Sequence, residues 1–166
     1  ANSYNIPAVK ALQHVTIPRL IETAERMGIK SLTGGDFGLS LTLGGGEMTL
    51  LELTGAYAVL ANQGIRVPSV AIQCVIGPDG QLLGQGVEEV SAAPCQEAAN
   101  RPHGALLIEP QSGQRAAPAT YAYQITSILA DNEARTPAFG PNSVLRLPGD
   151  RPAAVKTGTT NDFRDN

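Results

Sequence analysis

Ala153-Ala154-Val155-Lys156-Thr157-Gly158-Thr159-Thr160 is the stretch from which the rest of the chain is read. Small and β-branched residues at Ala154 and Val155 suit a short buried strand. Lys156 then places a cation at its end. Thr157 and Thr159 fall on one side of such a strand, because side chains alternate with a period of two. Gly158 has no side chain, so another backbone can approach closely there. One ammonium, two hydroxyls and open backbone N–H groups can cradle an extended peptide that ends in a carboxylate. A lysine-threonine-glycine triplet also recurs by accident, and an edge strand with a solvated lysine reads equally well from these residues alone.

The start of the chain decides between the two. Ser3-Tyr4-Asn5 is followed by Ile6-Pro7-Ala8-Val9. Next come Leu43-Gly44-Gly45-Gly46-Glu47-Met48-Thr49-Leu50-Leu51-Glu52-Leu53 and Ala56-Tyr57-Ala58-Val59-Leu60-Ala61-Asn62-Gln63-Gly64, and last Lys156-Thr157-Gly158-Thr159-Thr160-Asn161-Asp162-Phe163-Arg164-Asp165-Asn166. A Ser-x-Asn triplet upstream of Lys-Thr-Gly resembles the second and third motifs of the penicillin-binding proteins and serine β-lactamases. The ordered series over nearly the whole chain resembles the transpeptidase domain of a class A (bifunctional) penicillin-binding protein, of the 1C-like kind. The first motif of that family, Ser-x-x-Lys, is missing. Ser3, Ser31, Ser40, Ser69, Ser91, Ser112, Ser127 and Ser143 all lack a lysine three residues on.

The resemblance implies an α+β fold, an antiparallel sheet with helices on both sides, and a site in the cleft between sheet and helical lobe. It implies a D,D-transpeptidase that cross-links peptidoglycan stem peptides through a serine acyl-enzyme and is acylated by β-lactam antibiotics. It also gives the residues their roles. Ser3 is the hydroxyl relay to the leaving nitrogen. Asn5 holds the absent lysine and the substrate backbone. Lys156 polarises Ser3 and attracts the substrate carboxylate, which Thr157 and Thr159 bind beside Gly158. The N–H of Thr159 is one oxyanion donor. The nucleophile would come from an upstream segment carrying Ser-x-x-Lys. The parent would hold a glycosyltransferase domain and a membrane anchor, on the extracytoplasmic face of a bacterial inner membrane. Rival readings are a serine β-lactamase or D,D-carboxypeptidase, and a non-catalytic penicillin-sensing or structural module. No cofactor or metal is called for.

Composition narrows the class. The 166 residues are 42% hydrophobic but only 4% aromatic, with no tryptophan, so the core must rest on Leu, Ile, Val and Ala. Net charge is −3 and no basic run occurs, which gives nucleic acid no footprint. No apolar run is long enough to span a bilayer. Cys74 and Cys95 fit no metal spacing, and whether they pair is open. The chain begins inside a motif and ends in a polar run, which leads to the expectation of a fragment of one transpeptidase domain. Its helical part is 1–64, and a part with hairpin, helix and Lys-Thr-Gly strand is 65–166.

Local signals fill in the order. Asn5 reads as an N-cap, with Pro7 in the first helical turn, and Ile6, Val9 and Leu12 share a face. Thr16 reads as the cap of a second helix, with Ile17, Leu20, Ile21, Ala24 and Met27 at helical spacing and Gly28 as its stop. His14 lies in the joint and reads as structural. The six glycines between Ser31 and Gly46 fit neither a P-loop nor a dinucleotide-binding turn, and read as a plain loop beneath the site. Thr49-Leu50-Leu51-Glu52 is a capping-box signature. It opens a helix to about Asn62 that is apolar nearly all round, and so is expected to be central and buried, with Glu52 as cap partner rather than acid. Gly77-Pro78-Asp79-Gly80 joins two strands, Ala71 to Ile76 and Gln81 to Leu83, as a hairpin. Residues 84–117 show no period. A helix is expected over Pro118 to Asp131, and a turn at Ala138-Phe139-Gly140-Pro141.

Overall fold

The computed structural model describes residues 1–69, 74–79, 82–85 and 113–158. They divide into two compact units. The first comprises Ala1–Arg66 and the residues from Arg115 on, and it holds the candidate site. Val67–Gln114 forms the second.

In the first unit, α1 (Asn5–Val15) and α2 (Ile17–Met27) meet at Thr16. Thr16 has φ +78°, a conformation that turns the chain sharply and that β-branched residues seldom adopt. Pro18 sits in the first turn of α2, where its missing N–H costs nothing, and Gly28 ends that helix with φ +105°. The glycine-rich segment is a loop with a short 3-10 turn, Leu39–Leu43, and it feeds Leu32 and Leu41 into the core. Leu12, Ala24, Ile29, Leu32, Leu41 and Ala56 form that core, with Ile17, Leu20, Ile21, Met27, Phe37 and Met48 packed around it.

Helix α3 (Leu50–Ala61) opens with the expected capping box. Thr49 Oγ accepts from the Glu52 N–H, and the Glu52 carboxylate accepts from the Thr49 N–H. Glu52 does more than cap. Its Oε1 accepts from the backbone N–H groups of Lys30 (2.9 Å) and Ser31 (3.1 Å), and its Oε2 from the Ser31 hydroxyl. These donors, the Ser31 hydroxyl foremost, lower its pKa from 4.5 to about 2. Glu52 is therefore a carboxylate that ties the 29–31 loop to α3, with a pKa moved the wrong way for an acid.

Two expectations are corrected here. Asn5 is the first residue of α1, and the N-cap position belongs to Tyr4 with no side-chain cap, because the chain at Ser3 (φ +55°) turns one residue earlier. Helix α3 is not buried all round. Ala56 and Val59 are its buried residues, while Leu50 is 79% and Leu51 66% exposed. An apolar helix is covered only where another element reaches it, and among the described residues nothing covers this face.

The stop of α3 falls just before the expected Gly64: after Asn62 at the C-cap, Gln63 takes the left-handed conformation (φ +53°) and Gly64 follows at φ +86°, its carbonyl accepting from the N–H groups of Ala116 and Ala117. A short strand β1 (Ile65–Arg66) pairs with β4 (Gln114–Arg115). The chain then enters α4 (Ala119–Ala130), which packs on α3. In the second unit, β2 (Cys74–Ile76) and β3 (Leu82–Gln85) form the expected antiparallel hairpin, with Cys74 opposite Gln85 and Ile76 opposite Leu82. The described fold is thus helix-rich with a small antiparallel ladder, and the wider sheet implied by the resemblance is not among these strands. Cys95 and most of 84–117 lie outside the described residues. Among the described residues no helix is long and apolar enough to cross a membrane.

Candidate functional site

Helix α4 ends at Ala130, and the carbonyls of its last turn have no partner within the helix. The Leu129 carbonyl finds two. It accepts from the Val155 N–H at 3.0 Å and from Arg135 Nη1 at 2.7 Å. The first of these bonds holds the segment that carries Lys156. That segment, 151–158, has no regular secondary structure. The strand expected at Ala153 to Val155 is therefore replaced by a stretch whose anchor is a helix end, with Val155 half-buried and Ala154 exposed.

The other partner of Leu129 comes from a helix the sequence reading missed. Asp131 caps α5 (Asn132–Phe139) by accepting from the Ala134 N–H at 2.8 Å. Pro137 inside it masks the helical signal, and Ala138 and Phe139, read as a turn, are its last residues before Gly140. The Asp131 cap followed by Glu133 in the first turn is the signal that could have found it. Arg135 is buried, 1% exposed, and its Nη2 donates to Asn132 Oδ1. Among the described residues its Nε has no partner.

The N-terminal stretch arrives on the same helix. Asn2 donates from Nδ2 to the Ala134 carbonyl at 2.7 Å and accepts at Oδ1 from the Ala138 N–H at 3.3 Å. Ser3 follows with φ +55°, an uncommon conformation for a residue with a side chain, worth about 1–2 kcal/mol of strain. From there its hydroxyl oxygen accepts from Lys156 Nζ at 2.6 Å, across 153 positions of sequence. Lys156 also donates to its neighbour's carbonyl, that of Thr157.

The structure thus brings Ser3 and Lys156 together and puts Thr157 and Gly158 beside them. Thr157 is half-buried and Gly158 exposed, with open space where a Cβ would stand. Asn5 is exposed at the start of α1, and among the described residues its side chain has no hydrogen-bond partner. Thr159 lies outside the described residues.

The donor count of the lysine sets what the site can do. An ammonium has three N–H donors and no acceptor. Among the described residues one is used on Ser3 and one on Thr157, which leaves one for an incoming anion. Because Lys156 donates to Ser3, the serine keeps its own O–H free to give a proton elsewhere.

No family model matches the chain. Over 165 residues, 99% of its length, it is 30% identical to the penicillin-binding protein 1A of Aquifex aeolicus (strain VF5), of which it covers 18%. It is 31% identical to the penicillin-binding protein 1A of Neisseria cinerea over 163 residues, 98% of its length and 18% of that relative. Identity to the penicillin-binding protein 4 of Bacillus subtilis (strain 168) is 38% over 84 residues, 49% of the chain and 14% of the relative. The chain spans less than a quarter of the length of each of these relatives.

Proposed function

Because this chain belongs with the class A penicillin-binding proteins, we propose that it forms the proton-relay and carboxylate-binding part of a peptidoglycan D,D-transpeptidase. The named relatives are of the 1A and 4 kinds, so it is the class rather than the 1C subtype that they support. The observation that carries the reading is the bond from Lys156 to Ser3 at 2.6 Å. An accidental Lys-Thr-Gly triplet has no reason to meet a Ser-x-Asn triplet from the other end of the chain.

In this reading a stem peptide, or a β-lactam in its place, lies along Thr157 and Gly158 with its carboxylate on the free N–H of Lys156 and on the hydroxyls of Thr157 and Thr159. A serine of a Ser-x-x-Lys segment, absent from this sequence, attacks the carbonyl carbon. The proton of the attacking serine passes to the lysine of its own motif and on to Ser3, and as the C–N bond breaks Ser3 gives its proton to the leaving nitrogen while taking up that one, so that no net proton is gained or lost. Lys156, already donating to the Ser3 oxygen, stabilises the charge that develops there. Asn5 serves the substrate backbone and the lysine of the missing motif. The N–H of Thr159 and that of the attacking serine bind the oxyanion. The place of this chemistry is the extracytoplasmic face of a bacterial inner membrane.

The test is Lys156→Ala in the full-length protein, read by the rate of acylation with a labelled penicillin. The expected loss is roughly a hundredfold or more, the size of a general acid–base contribution. A loss below about threefold contradicts the role, because it is what a solvated surface lysine would give.

A further inference from the structure

Two ends of the chain must hold a fixed distance for Lys156 to reach Ser3: the N-terminal end is bonded to α5 directly, and the Lys156 end is bonded to the Leu129 carbonyl of α4, which Arg135 of α5 also holds. We propose that α5 is the buttress of the site, with Arg135 the positioning residue for the Lys156 segment and Asn2 the positioning residue for Ser3. The proposal rests on the function assigned above to the Ser3–Lys156 pair.

Consider Arg135 first. A guanidinium removed from water costs several kcal/mol unless it is well compensated. Among the described residues, its partners are two neutral oxygens, the Leu129 carbonyl and the Asn132 amide, and its Nε goes unsatisfied. A methionine would fill much of the same space without that cost. What the arginine adds is direction. Nη1 takes one lone pair of the Leu129 carbonyl and the Val155 N–H takes the other. The carbonyl is thereby pinned, and Val155 is the residue before the lysine.

Asn2 does the matching work at the other end. Ala134 and Ala138 are the i, i+4 pair of one helical turn, and the Asn2 amide bonds a group of each. Pro137 lies within that turn and lacks the N–H that would bond the Glu133 carbonyl, and Asn2 bridges the neighbouring pair, the Ala134 carbonyl and the Ala138 N–H. Ser3 is one residue on, held at a positive φ that its own preference would not choose. Ala134 and Arg135 are adjacent, so one turn of α5 fixes both arms. Two segments that are otherwise loose then share a single rigid reference, and a slip of about 1 Å at either arm would break the contact.

The experiment uses the full-length protein and a fluorescent penicillin. Arg135→Met is expected to slow acylation about ten- to a hundredfold while the melting midpoint holds or rises. In a Lys156→Ala background the same change should add little, because its effect passes through the lysine. Arg135→Lys, which keeps a donor for the Leu129 carbonyl, should recover most of the rate. Acylation at the parent rate in Arg135→Met, or an equal slowing with and without Lys156, overturns the proposal. If Arg135→Met does not fold, Asn132→Ala replaces it. That variant removes only the acceptor of Nη2, and parental acylation in it overturns the proposal likewise. Should Lys156→Ala itself leave acylation unchanged, the assignment of the site falls and the buttress with it. A normal Lys156 dependence with an indifferent Arg135 removes the buttress alone.

Discussion

Replacing Gly64 by alanine should open the seam on which the placement of α4 depends. The residue has φ +86°, and a Cβ built on it would stand 2.1 Å from the Ala117 carbonyl oxygen and 2.9 Å from the carbonyl carbon. Both atoms are backbone, so no side chain can swing aside. The positive φ costs an alanine about 1–2 kcal/mol. Relieving the clash pushes residues 116–117 away from the end of α3. It breaks the bonds that the Gly64 carbonyl accepts from Ala116 (2.9 Å) and Ala117 (3.1 Å), each worth about 1 kcal/mol. The sum is about 3–4 kcal/mol, a large share of a typical folding stability of about 5–15 kcal/mol. Gly55 is the control. It lies inside α3 with open space at its Cβ position, so Gly55→Ala should stabilise the helix by about 0.5–1 kcal/mol. The assay is the urea concentration at which the full-length protein loses penicillin labelling. Gly64→Ala is expected to fall well below the parent and Gly55→Ala to match or exceed it. A Gly64→Ala midpoint equal to the parent's would refute the reasoning from the seam.

Glu52 makes stability depend on pH in a defined window. Its folded pKa, about 2, lies below its ordinary value of 4.5. Its contribution is therefore complete above 4.5 and fades as pH falls from there toward 2. Glu52→Gln should melt below the parent at pH 6, and the gap should narrow by pH 3; a gap that stays constant on acidification would show that the charge is not what matters. A third expectation concerns the 166-residue chain alone. With no Ser-x-x-Lys in it, intact-mass measurement after penicillin treatment should find no adduct, and a stoichiometric penicilloyl group on any residue would overturn the assignment of the nucleophile to another segment. The same chain, with Leu50, Leu51, Tyr121 and Tyr123 exposed, is expected to self-associate, which sedimentation would detect.

What the amino-acid order determined unaided was whatever a few neighbouring residues decide among themselves. Thr49 and Glu52 are three apart, and the capping box they form needs no other part of the chain. Gly28 ends its helix because a left-handed residue is needed there, and the turn at 77–79 lies between paired strands. The motif order, from Ser3 to Lys156, was legible as a likeness to a family without any coordinates. The remainder was decided in three dimensions. Whether α3 is buried depends on what is packed against Leu50 and Leu51, which no periodicity within 50–61 records. Helix α5 was hidden because Pro137 opposes the local helical pattern that the Asp131 cap and the contacts of Arg135 and Asn2 support. Val155 carries the signature of a strand, yet its N–H is claimed by the unpaired carbonyl at the end of a helix. The 2.6 Å contact of Lys156 with Ser3 joins residues 153 apart, a separation that short-range preference cannot span.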